Sequence, residues 1–467
     1  MSRYLFTVLP SKDLGLLTRS LPIARELRKH GHDVAFCHPA EAPRKLISQA
    51  GFENCLPNRP LYRITGGHFS AGNFARLLCS RYLIRDGRLV AWTVRHIVQE
   101  STAEVWTADH FRYLMGMANE ALVRGVVEAL MEIISTYRPD VIVDFWNEPA
   151  CLAARICHKP LITVMQADQH PQSKGFIWWR QPPPGVPRCP IAGVNAILAD
   201  YQATPVRTMD EFCVGDLTLV LGIPETDPLP AEANVTYVGP VLWEREGEPL
   251  PDRLTDLDRE RHVIWLYPGK LLYMPGSGTP FDSAVVLEAC KEALGNLPVQ
   301  VVLTTGHAAL PRRFRPLPAN FRYEPSVPGL AMAARSDLVI HHGGYGSCQT
   351  GLYTGTPALI IPTFSERESN ARRVAAQGAG EYVLPTSDAT GIKKRVSAEE
   401  VRTKALRILS DPSYRENAMR IRKRMRAFGG ASEAARQHSG RGMPAASWSA
   451  ALRSRSWAAR LTGNARQ

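Results

Sequence analysis

The chain has 467 residues, of which 45% are hydrophobic, so it can build two or three domains with cores of their own. Lys and Arg outnumber Asp and Glu by 56 to 44, and the net charge of +12 favours an acidic partner: a nucleotide-sugar, an anionic membrane surface or nucleic acid. The nine cysteines are scattered without a Cys-x-x-Cys pair, which argues against a disulfide framework or a zinc site and indicates a cytoplasmic protein. No apolar run reaches the roughly 18 residues of a membrane-spanning helix.

The first half of the chain alternates between strand and helix patterns. Short apolar runs predict strands at residues 4–9, 34–37, 140–144, 161–164 and 217–221. Helical patterns lie between them, and this alternation predicts a Rossmann-like parallel sheet whose last strand is residues 217–221. The first turn lacks Gly-x-Gly-x-x-Gly, so NAD binding is not expected there.

The second half repeats the alternation after a segment rich in Glu, Gly and Pro at residues 244–251, which we interpret as a linker. Strands are predicted at residues 263–267, 299–304, 337–340 and 357–362, and helices at 401–409 and 414–426. The remainder is rich in Ala, Ser and Arg, and we interpret residues 430–467 as a basic, mostly disordered tail. A tail that touches a membrane is the alternative.

A glycine-rich turn at residues 341–347 joins a predicted strand to a predicted helix. Three glycines, Gly343, Gly344 and Gly346, let a ligand approach the backbone, and free N–H groups of the new helix point at it. Such a turn suits a diphosphate, to which His342 and Ser347 can add side-chain donors. Glycine-rich turns are also common as purely structural features.

The longer pattern carries more information than the turn alone. It consists of His342-Gly-Gly-Tyr-Gly-Ser347, then Gly355-x-Pro357, then Pro362-x-x-x-Glu366-Arg367-x-x-Asn370-Ala371. This pattern resembles the donor-binding signature of the UDP-glycosyltransferase-like superfamily, which contains inverting two-domain enzymes of the GT-B fold that glycosylate natural products, sterols and lipids. The resemblance implies an α/β chain with two Rossmann-like domains facing each other across a cleft.

The resemblance also assigns candidate donor-binding residues. His342, Gly343, Gly344, Gly346 and Ser347 would hold the diphosphate. Val327 lies in a segment that resembles the one packing against the nucleobase, and Glu366, Arg367 and Asn370 fall where the superfamily contacts the sugar. The superfamily has an Asp-Gln pair at the positions of Glu366 and Arg367. The identity of the sugar is therefore not assigned, and an acidic sugar is one possibility. Thr350 replaces the Glu that holds the ribose.

The catalytic base is the weakest part of the match. The superfamily places a His directly after a Gly in the first loop, but here Leu16 follows Gly15 and cannot take a proton. Asp13 can reach the same cleft, and Asp144, at the end of a predicted strand, can orient or replace the base. Both also fit purely structural roles in a turn and at a strand end.

The resulting prediction is an inverting glycosyltransferase that moves a sugar from a UDP- or TDP-sugar to a hydroxyl of a small, largely apolar acceptor. It is expected to need no cofactor and no metal and to bind no nucleic acid. The alternatives are a non-catalytic auxiliary protein and a lipid-acceptor transferase at the membrane surface. The predicted parts are an acceptor-binding domain (1–240), a linker (241–258), a nucleotide-sugar-binding domain (259–395), helices packing back across the cleft (396–429) and the tail (430–467).

Overall fold

The computed structural model describes residues 1–11, 14–57, 59, 62, 104–243, 247–258, 260–269, 283–307, 309–387 and 394–439. Within them the chain forms two parallel sheets, each belonging to one half of the chain, and one small antiparallel hairpin. The candidate base Asp13 and the tail from residue 440 onward lie outside the described residues.

The first sheet has the strand order β3-β2-β1-β4-β5-β6-β7, and every pairing in it is parallel. Its strands are β1 (Arg3–Val8), β2 (Asp33–Cys37), β3 (Glu53–Asn54), β4 (Val141–Phe145), β5 (Leu161–Met165), β6 (Leu217–Val220) and β7 (Thr236–Tyr237). The prediction that residues 217–221 form the last strand of this half is wrong, because the two-residue β7 extends the sheet beyond β6.

Helices cover both faces of the first sheet, as the alternation predicts. They are α1 (Gly15–Lys29), α2 (Glu41–Gln49), α3 (Ala108–Leu114), α4 (Glu120–Tyr137), α5 (Glu148–Ile156) and α6 (Ile191–Asp200). One apolar cluster joins α4, α5 and α6 to the sheet, and a second joins α1 to the opposite face. The five longer strands β1, β2, β4, β5 and β6 are buried on both faces for most of their length, which explains their nearly continuous apolar runs.

The second sheet has the order β10-β9-β8-β11-β12-β13, again with only parallel pairs. Its strands are β8 (Val263–Tyr267), β9 (Gln300–Thr304), β10 (Phe321–Glu324), β11 (Leu338–His341), β12 (Ala358–Ile360) and β13 (Gly380–Tyr382). The hairpin consists of β14 (Thr386–Ser387) and β15 (Lys394–Arg395). The described helices are α7 (Ala284–Leu294), α8 (Gly329–Arg335), α9 (Tyr345–Thr354), α10 (Ser365–Ala376), α11 (Ala398–Ser410), α12 (Pro412–Arg426) and α13 (Gly430–Ser439).

The last helices connect the second domain back to the first. Arg424 of α12 pairs with Glu225, which follows β6, at 2.5 Å. Ala434 and Ala435 of α13 are buried in the core cluster that contains α1. The prediction of a disordered tail from residue 430 is therefore wrong for residues 430–439, where an Ala-rich helix gains its stability from packing on the first domain.

Both sheets have the order of a doubly wound fold, so the chain contains the two predicted Rossmann-like domains. The order reverses between β1 and β4 in the first sheet and between β8 and β11 in the second. Ligands of such sheets bind at the carboxyl ends of the strands beside the reversal. No described helix combines the length and apolar character needed to cross a bilayer.

Candidate active site

The glycine turn lies directly after β11, beside the point where the order of the second sheet reverses. Gly343 has a φ of +88°, in the left-handed region that glycine adopts without strain. A Cβ at this position would lie 2.7 Å from the carbonyl oxygen of Arg367 and 3.1 Å from Cγ2 of Ile360. Both the backbone conformation and the close packing on α10 therefore require glycine here.

Helix α9 begins immediately after this turn and directs its N-terminus into the cleft. Gly344 is the N-cap, and its carbonyl oxygen accepts hydrogen bonds from the N–H groups of Ser347 (3.0 Å) and Cys348 (3.1 Å). The N–H groups of Tyr345 and Gly346 precede the first intrahelical bond. A Cβ on Gly346 would meet no described atom within 4 Å, so no described side chain packs against this residue. An open helix N-terminus is a favourable place for a phosphate.

His342 packs between the glycine turn and the end of β8. Its ring lies edge-on to Tyr267, with the ring centroids 5.4 Å apart. A Cβ on Gly344 would lie 2.6 Å from Nε2 of His342, and one on Gly269 would lie 3.1 Å from Nδ1. Burial, followed by the charge of Arg367, lowers the pKa of His342 well below its usual range. The imidazole is therefore neutral, a form in which one ring nitrogen is a hydrogen-bond donor.

Asn370 connects the glycine turn to the predicted sugar-contacting carboxylate. Its Nδ2 donates to the carbonyl oxygen of Gly343 at 3.0 Å and to Oε1 of Glu366 at 2.8 Å. Both amide hydrogens are thus used within the protein, so the geometry gives Asn370 a positioning role beside its predicted donor contact. The residues predicted from the motif do converge on one place in the fold.

Glu366 and Arg367 occupy the first turn of α10 but face different surroundings. Burial raises the pKa of Glu366 to about 7, and the negative charge of Asp168 is the next cause. The guanidinium of Arg367 donates to Oγ1 of Thr363 at 2.9 Å. Ser347 is half-buried in the first turn of α9, and Val327 is half-buried after β10 in the cluster that includes Tyr267. Their predicted ligand contacts remain predictions.

The first-domain candidates for the base have unequal support. Asp144 is the fourth residue of β4 and is 2% exposed; its Oδ1 accepts from the Thr7 hydroxyl at 2.6 Å, and its Oδ2 accepts from the Asn147 N–H at 3.0 Å. Burial raises the pKa of Asp144 to about 7. These bonds hold the carboxylate inside its own domain, which favours an orienting role. Leu16 is partly buried against the core that contains α1, and Asp13 is not described.

Sequence reasoning missed a charged cluster between the domains. It consists of Arg19 on α1, Asp168 after β5, Asp227 after β6, Tyr345 on α9 and Arg373 on α10. Arg373 Nη1 lies 4.0 Å from Asp168 and 3.9 Å from Asp227. The signal that could have found Asp168 is its place just after a predicted strand, where the sheet presents its ligand-binding edge.

An aromatic cluster lines the same cleft on the first-domain side. Phe111 stacks on Trp146 with the ring centroids 4.2 Å apart, and the centroid of Phe176 lies 6.1 Å from that of Trp146. Trp146 directly follows β4 and has a φ of +63°, a conformation rare for a bulky residue. Phe364, which immediately precedes α10 in the second domain, packs against the same cluster. Residues 63–103, which contain further aromatic side chains, lie outside the described residues.

No group of three or more His, Cys, Asp or Glu side chains within the described ranges is arranged to hold a metal ion. Asp256 and Asp258, which are separated by one residue, have protein partners: Asp256 pairs with Arg322, and Oδ1 of Asp258 accepts from the backbone N–H of Glu260 at 2.9 Å. The expectation that the reaction needs no metal therefore stays a prediction.

Part of the chain matches a described protein family, and a longer part is similar in sequence to a known glycosyltransferase. Residues 288–438 match the family model described as "Erythromycin biosynthesis protein CIII-like, C-terminal domain". The chain is 28% identical over 330 residues to the PGL/p-HBAD biosynthesis glycosyltransferase of Mycobacterium tuberculosis, covering 65% of this chain and 71% of that protein.

Two solved structures show the same fold at low sequence identity. The calicheamicin glycosyltransferase CalG4 superposes with a TM-score of 0.64 at 19% identity, covering 95% of this chain and 100% of that one. The glycosyltransferase VinC in complex with DTDP superposes with a TM-score of 0.59 at 18% identity, covering 92% of this chain and 97% of that one. The predicted two-domain GT-B architecture is thereby confirmed.

Proposed function

We propose that this chain, a glycosyltransferase of the GT-B fold that resembles the UDP-glycosyltransferase-like superfamily, inverts the anomeric configuration of the sugar that it transfers. The donor is a UDP- or TDP-sugar, and the acceptor is a hydroxyl of a small, largely apolar molecule. The resemblance, the fold and the glycosyltransferase class are confirmed by the comparisons. The donor, the stereochemistry and the acceptor are the proposal.

The observation that carries the proposal is the open N-terminus of α9 beside neutral, buried His342 at the reversal point of the second sheet. In sugar transfer the leaving diphosphate gains negative charge as the bond to the anomeric carbon breaks. Backbone N–H groups fixed before the reaction stabilise that charge without reorganising. His342 adds a donor, and Ser347 adds a hydroxyl in the same turn. No metal ion is needed in this scheme, and a chelator should leave the rate unchanged.

Inversion follows from a single displacement, in which the acceptor hydroxyl attacks the face opposite the leaving diphosphate. The hydroxyl must lose its proton to a base on the first-domain side of the cleft. We assign this role to Asp13, with Asp144 as the residue that orients it or the surrounding loop. The hydrogen bonds from Thr7 and Asn147 to Asp144 support the orienting assignment.

The aromatic cluster around Trp146 supports an apolar acceptor. It lies at the carboxyl end of β4, where the first sheet reverses its order. It also contacts Phe364, which immediately precedes α10. An apolar molecule placed against this cluster would lie between the two domains. The presence of DTDP in the VinC structure supports TDP as one of the two nucleotides proposed.

The test is a transfer assay with UDP- and TDP-sugars of α configuration and a panel of hydroxylated aromatic and alicyclic acceptors. We expect a β-linked product, read from the anomeric coupling constant in the proton NMR spectrum. Asp13→Asn should abolish transfer while leaving nucleotide binding intact. A product that retains the α configuration would contradict the inverting assignment, and full activity of Asp13→Asn would remove Asp13 as the base.

A further inference from the structure

Asp168 is a buried carboxylate without a hydrogen bond from any other described residue to its side chain. It lies in the short 3-10 helix Ala167–Gln169 after β5 and is completely buried. No other described residue donates a hydrogen bond to Oδ1 or Oδ2, and Nη1 of Arg373 forms a long ion pair with Oδ2 at 4.0 Å. A buried carboxylate without close hydrogen-bond donors is costly, so this site suits a donor that the described residues do not supply.

The opposing surface of α10 also presents unsatisfied polar atoms. Ser365, Ser369 and Arg373 follow each other at four-residue spacing and therefore share one side of the helix. The two hydroxyl oxygens and Nη1 of Arg373 are buried without hydrogen-bond partners in the described part of the chain. Hydroxyl donors and acceptors together with a carboxylate suit a ligand that carries several hydroxyl groups.

Glu366 shares this space with Asp168. Gln166, two residues before Asp168, contacts Glu366 from the first domain: with its amide oriented to satisfy both ends, the nitrogen donates to Glu366 Oε1 at 3.3 Å and the oxygen accepts from Arg19 Nη2 at 3.2 Å. In keeping with this proximity, the charge of Asp168 helps to raise the pKa of Glu366. Oε1 of Glu366 thus accepts from protein amides, whereas neither oxygen of Asp168 accepts from another described residue.

The positive charges of this cluster are already matched by its own acids. Asp168, Asp227 and Glu366 lie among Arg19, Arg367 and Arg373, so three carboxyl groups meet three guanidinium groups. Arg373 is already shared between Asp168 and Asp227. A ligand carboxylate entering this cluster would therefore add a third neighbour of like charge for each of the existing acids.

Resting on the proposed function, we infer that Asp168 is a specificity-determining residue for the donor sugar. Its carboxylate accepts hydrogen bonds from hydroxyl or amino groups of the transferred sugar, across the cleft from Glu366. The pair selects a neutral or amino sugar and rejects a sugar that carries a carboxylate. The sequence alone allows an acidic donor sugar, because Arg367 stands where the superfamily has Gln. The inferred role of Asp168 disfavours such a sugar.

The unmodified protein provides the first test, through calorimetric titration with UDP, UDP-glucose and UDP-glucuronate, or with the corresponding TDP compounds if only TDP binds. The two sugars differ only at carbon 6. We expect the glucose compound to bind at least about tenfold more tightly than the glucuronate. Equal or tighter binding of the glucuronate would overturn the inference but leave the proposed function intact. If none of the nucleotides bound, both the inference and the proposed function would be contradicted.

The Asp168→Asn variant gives the second test, because it keeps the shape of the side chain and removes its charge. We expect unchanged affinity for UDP, weaker binding of UDP-glucose and a loss of discrimination against UDP-glucuronate. Asp227→Asn is the matched control, since Asp227 faces the same Arg373 but is already hydrogen-bonded by Thr226 and Tyr345. Its effect on UDP-glucose should equal its effect on UDP.

Two results would contradict the role of Asp168 in sugar selection. If Asp168→Asn weakened the binding of UDP and of UDP-glucose equally, Asp168 would act only in the domain interface. If it left sugar-nucleotide binding and discrimination unchanged and lowered only turnover, Asp168 would act on the acceptor proton instead. A thermal melting curve of each variant shows whether that variant is folded at the temperature of the titration.

Discussion

The hydroxyl of Tyr345 lies 3.0 Å from Oδ1 of Asp227, which connects the glycine turn of the second domain to the first domain. The same hydroxyl donates to the backbone carbonyl of Leu221, just after β6, and the guanidinium of Arg19 lies 5.0 Å from the centre of the tyrosine ring. Tyr345 is also the first residue of α9, whose N-terminus faces the proposed diphosphate. Tyr345 therefore belongs both to the proposed nucleotide site and to the domain interface.

Replacing Tyr345 by Phe should weaken nucleotide binding and lower the free energy of unfolding by about 1 kcal/mol. The physical reason is that the variant removes the hydroxyl but keeps the ring, leaving the Leu221 carbonyl and Asp227 without this partner. Tyr353→Phe, in the same helix but beneath Arg426, is the control. Calorimetry measures the affinity and denaturant unfolding the stability. Wild-type values for both quantities in Tyr345→Phe would show that the contact does not couple the two.

Gly343 and Gly346 should respond differently to alanine. Gly343→Ala places a Cβ 2.7 Å from the Arg367 carbonyl at a positive φ, so we expect lower stability together with lost nucleotide binding. Gly346→Ala meets no described atom within 4 Å and sits in a helix, where alanine is favoured by about 1 kcal/mol.

We therefore expect the Gly346→Ala protein to be as stable as the wild type or more stable, yet to bind the nucleotide more weakly because its methyl group occupies the place of the diphosphate. Thermal unfolding and calorimetric titration of the same preparation separate the two effects. If a stable Gly346→Ala protein kept the wild-type affinity for the nucleotide, the diphosphate would not bind at this turn.

Asp144 should make the folded protein less stable as the pH rises. Its folded pKa is raised to about 7 from 3.8, so its contribution is fully present below the unfolded pKa and is lost as the pH rises through the folded pKa. Between about pH 4 and about pH 7 the free energy of unfolding should fall by about 1.4 kcal/mol per pH unit for this carboxyl group. Glu366, with a pKa of about 7, and Asp227, with a pKa of about 6, contribute in the same direction.

Asp144→Asn removes one of these three contributions, and we expect a shallower fall in stability across the same pH window. Urea unfolding measured at several pH values gives the slope. Asp200→Asn serves as the control, because Asp200 is exposed and pairs with Arg124 at the surface. An unchanged slope in Asp144→Asn would mean that the carboxyl group is ionised in the folded protein throughout this range.

The sequence predicted the glycine turn and its place between a strand and a helix because the determinants of this turn are local. His342, Gly343 and Asn370 belong to one motif, and the apolar runs on either side correspond to β11 and β12. The superfamily pattern then placed Glu366 correctly beside the turn. A continuous stretch of chain thus encodes this half of the site, and short-range patterns are sufficient to find it.

The interdomain cluster could not be predicted in the same way. Asp227 and Tyr345 are 118 residues apart, and neither belongs to a motif that names the other. Asp168 is an ordinary acidic residue until the fold buries it against α10. Helix α13 was missed because its composition resembles a disordered tail, whereas Ala434 and Ala435 are stabilised by packing on α1, a tertiary effect that composition does not report.

Calorimetric titration with UDP, TDP, GDP and ADP tests whether the glycine turn binds a nucleoside diphosphate. We predict that the wild-type protein binds UDP or TDP, that His342→Ala abolishes this binding, and that His262→Ala, at the opposite end of β8, retains it. If His342→Ala keeps the wild-type affinity, or if the wild-type protein binds none of the four nucleotides, the account of this site is contradicted.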